Sequence, residues 1–145
     1  MNKQKLDASS NIALAAILHD LGKMAERGKI PTSKETLENN KHLYCPFHRD
    51  GGWFSHVHAA YSAIGIDLIE PWLPDLKKAK AYPFGGWSDE GAEGLDDSLI
   101  NGAAKHHRPD TALQWIVAAA DRLASGFERE EFADYNKAKE KPETG

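Results

Sequence analysis

The feature that most constrains this chain is an apolar run ending in an imidazole and a carboxylate. Ile12-Ala13-Leu14-Ala15-Ala16-Ile17-Leu18 leads directly into His19-Asp20-Leu21. The run is apolar nearly all round a helical wheel. It predicts a central, buried helix that starts at a Ser9-Ser10-Asn11 cap and ends at Gly22 or Gly28. An ionisable pair in such a place is costly unless it is partnered, and a metal ion removes that cost. The run is too short for a membrane span, and the polar N-terminus has no signal-peptide core.

Three further segments read as helices. One runs from about Phe54 to Ile69 and is followed by Pro71 and Pro74. Another starts near Asp96-Asp97-Ser98 and reaches His106-His107. The last opens at Pro109-Asp110, places Leu113, Ile116, Val117, Ala120 and Leu123 at helical spacing, and runs to about Phe127. Residues 28–53 and 74–95 read as long loops, the first with a short capped helix at Thr32-Ser33-Lys34-Glu35. No segment alternates as a strand does. The expected fold is therefore all-α, a single-domain helical bundle with long connecting loops over residues 1–130. Residues 131–145 are expected to form a polar tail, or a linker to a following domain.

At 145 residues the chain has room for one core. Lys and Arg number 18 against 22 Asp and Glu, a formal charge of −4, which excludes a basic, histone-like nucleic-acid binder. It leaves open an enzyme acting on nucleic acid, where a metal supplies the positive charge. A single cysteine, Cys45, excludes an internal disulfide and fits a reducing, cytoplasmic compartment.

Seven histidines are many for this length, and most of them cluster with aspartates near predicted helix ends. The set is His19-Asp20, His56 and His58, His106-His107, and Asp121. No spacing among them is a closed zinc-finger pattern, so they read as ligands brought to one point by several helices. Imidazole and carboxylate together suit a divalent transition metal: Mn, Ni, Co, Fe or Zn. Asp121 lies among alanines, and its other reading is an ion pair with Arg122. Lys23, one turn beyond the His-Asp pair, can reach a phosphate from the same face, as can Arg122. Of the adjacent histidines, one can bind metal while the other, for which His107 is the choice, acts as general acid.

The order His-Asp, His, His-His, Asp resembles that of the HD superfamily of metal-dependent phosphohydrolases. His19-Asp20-Leu21-Gly22-Lys23 is similar to its His-Asp-Ile/Leu-Gly-Lys signature. Ser55-His56-Val57-His58-Ala59-Ala60-Tyr61-Ser62-Ala63 resembles its histidine helix. With Ala120-Asp121-Arg122-Leu123-Ala124-Ser125-Gly126 as the closing helix, and no ligand histidine before His19, the whole looks like a particular branch of it. That branch is the permuted HD nuclease domain of the large subunit of type III CRISPR effector complexes. The resemblance spans roughly residues 12–130. It implies His19, Asp20, His58, His106, His107 and Asp121 as ligands of one or two ions, with Asp20 placed to bridge. It also implies a single-stranded DNA substrate in antiviral defence, and other subunits and a guide RNA as partners. His56 does not fit: two residues before His58, it points about 200° away on a regular helix. Both can be ligands only if the helix starts between them.

Two other readings compete. One is an HD-class nucleotide phosphohydrolase or cyclic-nucleotide phosphodiesterase, which the acidic charge favours. The other is a non-catalytic scaffold module, which the full ligand set argues against. Cys45 and His48 have a Cys-x-x-His spacing that can clip zinc, although two ligands are not four. The loop aromatics Tyr44, Phe47, Trp53 and Phe54, with Tyr82, Phe84 and Trp87, either pack the loops onto the core or stack on single-stranded bases.

Overall fold

A computed structural model describes the backbone at residues 3–72 and 97–140, and side chains at 8–72 and 97–126. Six α-helices carry the described residues: α1 (Lys3–Leu18), α2 (Leu21–Arg27), α3 (Lys34–Tyr44), α4 (His58–Ile69), α5 (Leu99–Ala104) and α6 (Ala112–Glu140). Short 3₁₀ turns at Glu70–Trp72 and Lys105–His107 extend α4 and α5. The expected loop at 74–95, with its aromatics, lies outside the described residues. None of the described helices is long and apolar enough to cross a membrane.

Helix starts follow their caps. The Ser33 hydroxyl accepts from the Thr36 N–H at 3.0 Å, and the helix it opens runs through Tyr44, much longer than the sequence suggested. Ser98 does the same for Asn101 at 3.1 Å. Before α6, Thr111 and Gln114 form a reciprocal cap. Gln114 N–H donates to the Thr111 hydroxyl at 3.3 Å, and the Gln114 side-chain Oε1 accepts from the Thr111 N–H at 3.3 Å and from the Asp110 N–H at 2.7 Å. α1 departs from its expected cap: it starts at Lys3, not at Ser9-Ser10-Asn11. The run Lys3–Leu6 has good helix formers and nothing to stop it.

The central helix is α4, which packs against α2, α3 and α5. Seven of its residues from Ala59 to Ile66 are buried, most of them small, so neighbouring backbones approach closely. α1 is buried on one face only: Ala15 is fully buried, whereas Ile17 is 75% exposed. Its neighbours, α5 and α6, cover only that face. The expectation that α1 is the buried centre is corrected accordingly.

The loop between α3 and α4 contains a small antiparallel hairpin, β1 (Phe47–His48) paired with β2 (Trp53–Phe54), in a stretch where no strand was expected. The register sets Phe47 opposite Phe54 and His48 opposite Trp53. Gly51 and Gly52 make the turn, and Gly52 has φ +66°, which only glycine takes without strain. Two-residue strands are too short to show alternation, so the sequence gives no periodic signal of them.

Candidate metal centre

The site forms where three chain segments end. α1 stops at Leu18 and α2 begins at Leu21, so His19 and Asp20 sit in the turn between them, not inside a helix. α4 begins at His58, and the 3₁₀ turn after α5 delivers His106 and His107. Asp121 comes from the first half of α6.

Ser62 and Gly22 hold the first segment in place. The fully buried Ser62 hydroxyl donates to the His19 carbonyl at 2.7 Å and accepts from the Gly22 N–H at 2.9 Å. A Cβ on Gly22 would lie 1.8 Å from the His58 carbonyl oxygen and 2.4 Å from the Ser62 nitrogen. Only glycine lets α2 pack this tightly on α4. Sequence reading noted Ser62 only as part of a motif and missed this bridge, because nothing local shows which carbonyl a serine will reach.

The six expected ligands come together. His19 Nε2 lies 3.2 Å from Asp121 Oδ1 and 3.5 Å from Asp20 Oδ2. His58 Nε2 lies 3.7 Å from Asp20 Oδ1 and 3.0 Å from His107 Nε2. The His106 ring packs 4.8 Å from that of His19 and 4.1 Å from that of His107, between centroids. Two ligand trios result, His19/Asp20/His106 and His58/His106/His107, each with its donor atoms within 4.8 Å of one another. His106 belongs to both.

The donor chemistry fits a cation. His19 Nδ1 donates to the Ala16 carbonyl, and His106 Nδ1 donates to the Ala103 carbonyl at 2.8 Å. These bonds turn the Nε2 lone pairs of both rings inward. His106 is 1% exposed, and its Nε2 is buried without a hydrogen-bond partner. Such an orphaned acceptor is unfavourable unless something electrophilic fills the space. Burial pushes His106 down to about 4 and His107 down to about 3, and it lowers His58 as well. These three rings are therefore neutral at pH 7, the form that binds metal. Burial acts to raise Asp20, but the Lys23 hydrogen bond and nearby His19 outweigh it and hold the carboxyl below its usual range. Lys23 Nζ lies 2.6 Å from Asp20 Oδ2, at the exposed rim.

Three expectations change. His56 has φ +54° and precedes α4, so the helix does start between His56 and His58. Both rings then lie beside His107, the His56 ring at 3.9 Å and the His58 ring at 4.9 Å between centroids. Arg122 neither pairs with Asp121 nor enters the cluster among the described residues; its guanidinium lies over the Trp115 ring at 5.3 Å. Seven residues apart on α6, the two share a face other than that of Asp121. Cys45 and His48 turn to other partners among the described residues. The buried Cys45 thiol donates to the His56 carbonyl at 3.5 Å, while the His48 ring stacks on Trp53 at 4.2 Å.

Compared with family models, with curated proteins and with solved structures, the chain matches none.

Proposed function

We propose that the chain is a metal-dependent phosphodiesterase of the HD type that hydrolyses single-stranded DNA. We read it as the nuclease domain of the large subunit of a type III CRISPR effector complex, working in the cytoplasm with other subunits and a guide RNA. The observation that carries this reading is the convergence of His19, Asp20, His58, His106, His107 and Asp121 around the orphaned Nε2 of His106. These residues would hold one or two divalent ions of Mn, Ni, Co, Fe or Zn. A bound ion supplies an activated water and neutralises phosphoryl oxygens.

The chain's own groups divide the remaining work. Asp20 faces both His19 and His58, so it is the carboxylate placed to serve both ligand trios. Lys23 stands at the rim on Asp20, where its ammonium can also hold a phosphate oxygen. His107 is read as a ligand, its Nε2 3.0 Å from that of His58, with general acid as its second role. The rim at Asp20 and Lys23 is open to solvent, which can protonate the leaving oxygen.

The test incubates metal-stripped protein with labelled single-stranded DNA, single-stranded RNA and free nucleotides, each with one of the five ions or with chelator. Cleavage of DNA by at least one ion, and none in chelator, is expected. Hydrolysis of nucleotides alone would transfer the function to the nucleotide phosphohydrolase reading, which the −4 charge favours.

A further inference from the structure

Beside the metal centre lies a cleft of about 410 Å³ lined by His42, Phe47, Arg49, Phe54 and Arg108. Its chemistry differs from that of the rest of this acidic chain. Two guanidinium groups face it, and neither makes an ion pair among the described residues. The nearby lysines do: Lys41 pairs with Glu38 and Lys105 with Asp110. Arg108 is fixed by a 2.8 Å donation to the His42 carbonyl, which leaves its other N–H groups available. The hairpin register sets Phe47 and Phe54 on one side, with ring centroids 4.9 Å apart, and Phe47 is half exposed. The edge of the His42 ring closes on Phe54 at 4.8 Å.

Both walls of the cleft continue into the ligand cluster. Arg108 directly follows His107, so their Cα atoms are only about 3.8 Å apart. On the other wall, Phe54 leads through Ser55 to His56, whose ring rests 3.9 Å from that of His107. Aromatic faces beside guanidinium groups suit a base and its phosphate, and stacking tolerates any base. Positive charge in a cleft also focuses potential locally, whatever the net charge.

We infer that this cleft holds one nucleotide unit of a single-stranded nucleic acid, its base against Phe47 and Phe54 and its phosphate on Arg49 and Arg108. The next phosphodiester along the strand then lies at the His106 cluster. The inference rests on the nuclease reading for its direction toward the metal, but binding in the cleft requires no metal.

The test therefore measures binding in chelator, by fluorescence anisotropy with a fluorescein-labelled dT10, for the wild-type chain, Phe47→Ala and Arg49→Ala. Both side chains are exposed. Phe47→Ala is expected to weaken binding by about tenfold, the effect of losing one stacked base. Arg49→Ala is expected to reduce the slope of log K against log salt by about 0.7, the loss of one single-strand phosphate contact. Manganese binding by both variants should match wild type. Equal dT10 affinity in all three proteins, or no dT10 binding by wild type, would overturn the inference. If dT10 binds through these residues but no ion supports its cleavage, the cleft stands and the nuclease reading falls.

Discussion

Ser62 ties the His19 backbone to α2 through a single hydroxyl, and that hydroxyl is fully buried. Removing it leaves one part-buried carbonyl and one buried N–H without this partner. Ser62→Ala should therefore lower stability by about 1–3 kcal/mol, read from urea unfolding of the chelated protein. Metal affinity should fall with it, since His19 and Asp20 lose the bond that sets their turn. A variant as stable as wild type would show that the turn is held by packing alone. The residues that converge were legible in the sequence, because charged and ring side chains inside apolar stretches need a reason. What Arg122 and Cys45 do was not. Arg122 finds Trp115, and Cys45 finds a carbonyl eleven residues on; both depend on the tertiary fold.

At the level of elements, the structure depends on how closely α2 meets α4. Gly22 makes that approach possible, because an added Cβ would overlap the His58 backbone. Gly22→Ala must push the two helices apart, at a cost of about 3 kcal/mol or more, and should displace His58 from Asp20. Thermal melting and metal titration of the same variant check the two effects; a melting temperature within a degree of wild type contradicts the packing described. Helix α4 also shows where sequence reading ran short. The apolar run of α1 promised the buried centre, yet the small residues Ala59, Ala60, Ser62 and Ala63 occupy it. Hydrophobicity pointed to α1, whereas close approach favours small side chains. Caps guided only in part: Ser33 and Ser98 open their helices as their residue types suggest, whereas α1 runs straight through Ser9-Ser10-Asn11.

For the whole molecule, pH gives a test away from the candidate metal centre. Tyr44 joins α3 to α5 by donating its hydroxyl to Asn101 Oδ1 at 3.1 Å. Burial, with Asp67 nearby, pushes its phenol up to about 12 from 10.0. The folded chain thus keeps a proton that the unfolded chain gives up near pH 10. The Tyr44 contribution is fully present below that pH and is lost as pH rises toward about 12. Wild-type stability should fall across that window more steeply than that of Tyr44→Phe, as measured by urea midpoints at several pH values. Parallel curves would place the phenol in water.

The six converging residues are proposed as the metal centre of a phosphodiesterase. The most direct test of this claim is the initial rate of single-stranded DNA cleavage, with bound metal counted in the same samples, for wild type and for His19→Ala/Asp20→Ala. The helices are held by apolar packing, so the double variant should fold and give a wild-type helical spectrum. It should bind less metal and cleave at no more than the rate seen in chelator. Folded double variant that cuts at the wild-type rate would contradict the claim.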